Sequence, residues 1–277
     1  MTDSQNPRPS TIQDYHEEQS TFEMVCSGNE EDQTAPEPGP LATAILVNTV
    51  GNRYLVANWH VVTGKHPASE KQIALYPPRL LFARENILTE TGGSAYPIPL
   101  YCQGMPLWIE SHRRVPVEGT SQRIDIAIIP FVCKACVQPG INLDDARTQT
   151  SVPRPLDQVS VIGFPFRRPR PIWKTAHVAE SVQPYVDYFL INGRTKRGMS
   201  SSGVFSTSIS LYDNLTKIQN RLLLGIYSGR YSDTESTENT RATERELNEL
   251  DLGIVWKIDL IKSILNEGQR IETNFSN

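Results

Sequence analysis

Residues 193–205 read Gly-Arg-Thr-Lys-Arg-Gly-Met-Ser-Ser-Ser-Gly-Val-Phe, which sets Gly198 two positions before Ser200. A serine hydroxyl that attacks a carbonyl needs backbone N–H groups aimed at the oxyanion that develops. A glycine beside it supplies the freedom to turn them there. The donors would be the amides of Gly198 and Ser200. Taken alone, Gly-x-Ser is more often a plain turn, so the partners decide. His60 lies in Tyr-Leu-Val-Ala-Asn-Trp-His-Val-Val and Asp125 in Arg-Ile-Asp-Ile-Ala-Ile-Ile-Pro. Each is a lone polar residue at the edge of an apolar, β-type run. A lone histidine is commonly a core residue satisfied by backbone groups, and Asp125 fits either a buried, paired carboxylate or an edge-strand surface one. Together they supply a base, its orienting acid and a nucleophile, which is what acyl transfer through a serine requires.

These residues need a scaffold that carries them on separate segments. With 277 residues the chain is long enough for one two-part domain with a sizeable core. Its 20 prolines and 17 glycines point to many short strands and turns. A net charge of -4 argues against a nucleic-acid partner, which would call for a basic surplus, and the cluster Arg167, Arg168, Arg170 reads as a solvated loop. No apolar run reaches the roughly 20 residues of a membrane span, and the polar N-terminus lacks a signal-peptide core. The expectation is a cytoplasmic protein with no membrane partner. Four cysteines, Cys26, Cys102, Cys133 and Cys136, are too few and scattered for a disulfide framework. Cys133 and Cys136 form a CxxC, but one pair without a second is a weak zinc signal, so neither metal nor cofactor is expected.

Residues 1–38 are polar, with only Phe22, Met24 and Val25 able to anchor a docked strand, and read as a mostly irregular lead-in. From residue 41 the pattern turns apolar. Residues 41–50 and 54–62 flank Gly51-Asn52 as a β-hairpin, with His60 near the end of its second strand. Short strand candidates then alternate with turns to about residue 140, and residues 141–157, polar and proline-containing, read as a connection. Further strands are expected at 159–163, 173–179, 188–191, 203–207, 222–228 and 252–256. Runs of this kind indicate an all-β sandwich or barrel. Residues 230–251 form a long polar stretch, expected as a loop or short surface helix. The chain closes with an amphipathic helix over 258–268, with Asp259 as N-cap, Gly268 as stop and Leu260, Ile261, Ile264 and Leu265 on one face.

With its elements in place, the chain resembles a bacterial trypsin-like serine peptidase domain from about Leu41 to Leu265. The likeness rests on seven motifs in order: Asn-Trp-His-Val-Val, Asp-Ile-Ala-Ile-Ile-Pro, Val-Ile-Gly-Phe-Pro, Trp-Lys-Thr-Ala-His-Val-Ala, Arg-Gly-Met-Ser, Leu-Gly-Ile-Tyr-Ser-Gly-Arg and Leu-Gly-Ile-Val-Trp-Lys. The order His, Asp, Ser is also that of the chymotrypsin-like enzymes. The resemblance implies an all-β fold of two antiparallel six-stranded β-barrels with a C-terminal helix, the first barrel over 39–140 and the second over 158–257, with the site between them. It implies an intracellular serine endopeptidase acting through an acyl-enzyme. His60 would be the general base, Asp125 its orienting acid and Ser200 the nucleophile. Gly198 and Ser200 would form the oxyanion hole, worth about 3–4 kcal/mol per donor. Tyr227, Ser228, Gly229 and Arg230 resemble the strand along which substrate peptide pairs.

Three departures qualify the resemblance. Ser201 stands where the family has a glycine, and Gly203 where it has a proline. The extra Cβ at 201 could narrow the turn and leaves Ser202 as a rival nucleophile, although only Ser200 keeps the leading glycine. The alternative function is therefore a protease-like module, impaired in turnover, that binds a peptide or protein partner in the cleft. Met199 stands where digestive enzymes carry the aspartate that pairs with a freed N-terminus, so control by a regulatory protein partner or by the acidic N-terminal segment is expected instead. Arg194, six positions before Ser200, falls at the floor of the primary pocket and Arg230 on its wall strand. If either enters the pocket, an acidic P1 residue would be preferred.

Overall fold

The computed structural model describes residues 20–27, 41–73, 80–84, 95–117, 120–133, 136, 138–144, 152–165, 170–193, 198–207, 209–213, 216–230 and 251–267. Strands dominate it. In the first half these are β1 (Thr21–Ser27), β2 (Leu41–Thr49), β3 (Asn52–Ala57), β4 (Leu80–Arg84), β5 (Ala95–Pro99), β6 (Tyr101–Cys102), β7 (Met105–Pro106), β8 (Ile109–Glu110), β9 (Arg114–Val117), β10 (Thr120–Arg123), β11 (Ala127–Pro130) and β12 (Ile141–Asn142). One short helix, α1 (Trp59–Thr63), follows β3. The second half has β13 (Gln158–Gly163), β14 (Ile172–Val178), β15 (Tyr188–Asn192), β16 (Gly203–Ser206), β17 (Ile209–Asp213), β18 (Thr216–Asn220), β19 (Leu223–Arg230) and β20 (Leu252–Lys257), then helix α2 (Ile258–Glu267).

The second half closes into the expected six-stranded barrel, in the order β13-β14-β15-β20-β19-β16. The first half differs from expectation. Among the described residues it is an open eight-stranded sheet in the order β5-β4-β1-β2-β3-β11-β8, with β12 beside β2, and so forms a half-barrel with edges at β5 and β8. Nor is it wholly antiparallel, because β12 runs parallel to β2.

Two segment boundaries shift as well. Strand β1 lies inside the sheet, paired with β2 on one side and β4 on the other, so the first half begins within the polar 1–38 segment. The alternation in its sequence explains it: Phe22 and Met24 are fully buried on one face, as in a strand packed on a core, and Thr21 and Glu23 on the other face are buried as well. The 141–157 connection likewise starts inside the sheet, since β12 is part of it and Leu143 N–H donates to Asn48 O at 2.9 Å.

Three apolar cores hold these parts. One lies within the first half, around Phe22, Met24, Leu46, Leu55 and Phe131. Another fills the closed barrel, around Val161, Phe189, Val204, Tyr227 and Val255. The third joins the halves: Ile45, Val56, Ile126 and Ile128 from the first meet Ile162, Phe205, Ile226 and Trp256 from the second. Helix α2 seals this third core with Ile258, Leu260, Ile261 and Ile264, and Leu265 packs against it half-buried. Its first residue is Ile258, so Asp259 lies in the first turn rather than capping it, where a carboxylate still suits the helix dipole. The expected stop, Gly268, and residues 231–250 lie outside the described residues. No helix among the described residues is long and apolar enough to cross a membrane.

Candidate active site

The site lies on the seam between the halves. β3 ends at Ala57, sooner than the apolar run 54–62 suggested, and the chain turns into the five-residue helix α1, which carries His60 in its first turn. A helix this short has no stability of its own in water, and tertiary bonds fix it. Trp59 Nε1–H donates to Glu110 Oε2 at 2.6 Å, Trp108 Nε1–H reaches the same oxygen at 2.7 Å, and the Arg123 guanidinium stacks over the Trp59 ring at 4.9 Å. Gly64 closes the helix in the left-handed region at φ 67°, its N–H donating to His60 O at 2.9 Å.

Asp125 sits in the loop before β11 and is 1% exposed. A carboxylate so buried must be surrounded by donors, and it is. His60 Nδ1–H donates to Oδ2 at 2.7 Å and His60 backbone N–H to Oδ1 at 2.8 Å. Ser228 Oγ also donates to Oδ2. Burial alone would raise the Asp125 pKa, but the charge of His60 and these hydrogen bonds outweigh it and hold the carboxyl below its ordinary range. For His60, burial pulls the pKa down while the charge and hydrogen bond of Asp125 pull it up, and the second effect wins. With Nδ1 committed, the imidazole presents Nε2 as its free nitrogen, and the side chain remains 19% exposed.

The turn carrying Ser200 meets this pair from the other half. Asn58, two residues before His60, donates its backbone N–H to Ser201 Oγ at 2.7 Å, and that hydroxyl donates on to Asn58 Oδ1 at 3.1 Å. Asn58 Nδ2–H in turn donates to Asp125 O at 2.8 Å. Asp125 is thus tied through Asn58, two residues before His60, to Ser201, the neighbour of Ser200, in one buried network. Of the three consecutive serines, Ser200 is half-buried, while Ser201 and Ser202 are fully buried. Ser202 Oγ faces Met199 Sδ at 3.9 Å inside the barrel, so the rival register places its hydroxyl out of reach of a substrate.

Gly198 has φ +96°, and a Cβ there would stand 2.4 Å from Phe164 O, so both conformation and space require glycine. Among the described residues, neither the Gly198 nor the Ser200 N–H has an acceptor. An unpaired amide at a buried position such as Gly198 is rare, and together with the amide of the half-exposed Ser200 it leaves two donors for a developing oxyanion. No hydrogen bond among the described residues joins Ser200 Oγ to His60 Nε2.

Two expected substrate contacts are otherwise engaged. The Tyr227 side chain is 1% exposed in the barrel core, its N–H donates to Ser202 O at 2.9 Å and its carbonyl accepts from Ser201 N–H at 2.8 Å, so it has no backbone group to offer a peptide. Ser228 is the extra residue of a bulge in β19, since Tyr227 opposes Val255 while Gly229 opposes Ile254. A bulge re-aims a side chain, and here it sends Ser228 to Asp125. Gly229, at φ +113°, has nothing within 4 Å of where a Cβ would stand. Arg230 is present as backbone paired with Gly253, and Arg194 lies outside the described residues. Cys102 is exposed, Cys133 half-buried and Cys136 buried with the Arg53 guanidinium 3.8 Å from its Sγ, none of the three is in a disulfide, and no metal-holding cluster of three occurs among the described residues.

Sequence reasoning missed the parts played by Thr43, Asn58 and Ser201. Only the unusual serine at 201 gave a signal, and it was read as a defect.

No family model matches the sequence, and no curated protein matches it. Solved structures do. A serine endoprotease from Yersinia pestis superposes with a TM-score of 0.51 at 11% identity over 90% of this chain, which spans 62% of that protein's length. A serine-to-alanine variant of Rv3671c from Mycobacterium tuberculosis, in its inactive form, gives a TM-score of 0.49 at 12% identity over 95% of this chain and 94% of that one. At such identities the likeness to the Yersinia protein is one of fold alone: the chain is mostly β, with one closed barrel and, among the described residues, one open half-barrel sheet.

Proposed function

We propose that the chain is a serine endopeptidase in which Ser200 is the nucleophile, His60 the general base and Asp125 its orienting acid. The observation that carries this reading is the His60–Asp125 pair, tied through Asn58 and Ser201 to a turn with a half-exposed serine and two amides without acceptors. Ser200 Oγ attacks the carbonyl carbon of the scissile bond as His60 Nε2 takes its proton. The imidazolium that forms is stabilised by the Asp125 carboxylate, and the oxyanion by the N–H groups of Gly198 and Ser200. Collapse of the tetrahedral intermediate breaks the C–N bond, and His60 returns the proton to the departing amine. The acyl ester on Ser200 is then hydrolysed by water through the same steps, which restores the hydroxyl.

A second reading, a module that binds a peptide or protein without cleaving it, is favoured by the lack of a Ser200–His60 hydrogen bond. Hydrolysis of a fluorogenic casein by the purified chain separates the two. Turnover that is lost in Ser200→Ala supports the peptidase. A folded wild type without turnover that still retains casein supports the module.

A further inference from the structure

A nucleophile turn with two unpaired amides must be held open by something. In this chain the residue between them, Met199, carries no charge and is 1% exposed in the barrel core, so no ion pair at that position can do it. The holding groups come from the other half. Thr43, on β2, is fully buried and makes three bonds on or beside the turn. Its N–H donates to Ser200 O at 2.8 Å, its hydroxyl donates to Gly198 O at 2.9 Å, and the same hydroxyl accepts from Phe164 N–H at 3.0 Å. Phe164 is the residue whose carbonyl would meet a Cβ at Gly198. One hydroxyl therefore fixes both the Gly198 carbonyl and the segment packed against that glycine. Gly163 leaves the room for it: a Cβ at 163 would stand 2.8 Å from Thr43 Oγ1 and 1.9 Å from Ser202 Oγ.

We propose that the Thr43 hydroxyl is a positioning group for the oxyanion-binding amides, holding the Gly198–Ser200 turn in its donor-outward form from the opposite half of the molecule. The inference rests on the peptidase reading. It makes the oxyanion hole a property of the packed seam, so the chain needs no freed N-terminus to form it. The side chain acts through the turn and does not touch substrate. Its removal affects the step in which the oxyanion develops and leaves ground-state binding alone.

The test compares Thr43→Val, which removes the hydroxyl at nearly constant volume and keeps the backbone donor, with Thr43→Ser, which keeps the hydroxyl. For Thr43→Val the expected result is a kcat lower by about tenfold or more, up to the roughly 10²–10³-fold lost when an oxyanion donor itself is removed. KM stays within about twofold, as expected when only the transition state is affected, and the acidic limb of the pH profile is unmoved. Thr43→Ser recovers most of the loss. A Thr43→Val enzyme with wild-type kcat, or one whose loss lies wholly in KM, overturns the proposal. Should Thr43→Val fail to fold, Thr43→Ala removes the same hydroxyl without crowding and is judged by the same criteria. A crystal structure of the folded variant keeps this test separate from the peptidase reading. If the wild type proves inactive, that reading falls, while a Gly198 carbonyl that has left its place in the variant supports the clamp and an unmoved one refutes it.

Discussion

Ser201 sets two effects against each other, and replacing it by glycine measures which is larger. Its backbone lies in the left-handed region at φ 67°, where a side chain costs about 1–2 kcal/mol. Glycine would relieve that strain, yet it would also loosen the unfolded chain by roughly 0.5–1 kcal/mol, so the backbone terms leave a net gain of about 0.5–1 kcal/mol for glycine. What remains is the loss of the Ser201 hydroxyl. Asn58 is fully buried, and without Ser201 Oγ both its N–H and its Oδ1 lose their partner. At about 1–3 kcal/mol for each of the two buried groups left unsatisfied, less that backbone gain, Ser201→Gly is expected to destabilise the fold by about 1–5 kcal/mol. Urea unfolding of the wild type, Ser201→Gly, Asn58→Ala and the double variant gives the value. The double variant should fall short of the sum of the singles by at least about 1 kcal/mol, as for residues in direct contact. If Ser201→Gly is as stable as the wild type, the bonds contribute no more than the strain they offset, and Ser201 is only a tolerated substitution.

The burial of β1 can be tested by Phe22→Ala, which removes a fully buried ring packed edge-on to Phe131 at 6.1 Å. A loss of about 3–5 kcal/mol in urea unfolding is expected, whereas a change under about 0.5 kcal/mol would make the segment a detachable lead-in. The pH dependence of kcat follows from the sign of the His60 shift. The base must be neutral, and Asp125 holds its pKa above the ordinary value despite burial. Activity should therefore fall as pH drops through a midpoint above the ordinary histidine value of about 6.5. A profile flat down to about pH 5 would exclude His60 as the base.

Much of the second half could be read from the sequence because its strands are largely apolar runs of four to eight residues separated by turn residues, as at Gln158–Gly163 and Leu252–Lys257. Local pattern is enough for such elements. β1 was harder, since Thr21 and Glu23 interrupt its apolar positions and only pairing with two neighbouring strands buries them. The early end of β3 was hidden for a related reason. Residues 54–62 are apolar apart from Asn58 and His60, and helix α1 is selected over a longer strand by contacts to Glu110 and Arg123, about fifty residues or more away. Within the site, His60 and Asp125 stood out as lone polar residues in apolar runs. Thr43 and Asn58 did not, Ser201 was noticed only as a departure from the family pattern, and Ser228 only as part of a substrate strand. Their bonds span 155, 143 and 103 positions of chain, and no periodicity encodes a contact at that range. Ser228 also depends on a bulge in β19, which shifts it out of the alternation that a regular strand would show.

The central claim is that Ser200 is activated by His60 beside a formed oxyanion hole, and a fluorophosphonate reagent tests it directly, because the reagent modifies only a serine so activated. Intact mass and peptide mapping of the treated protein should give one adduct, located at Ser200 and absent from both Ser200→Ala and His60→Ala. A folded protein that takes up no reagent near pH 8, or one modified at Ser202 instead, would contradict it.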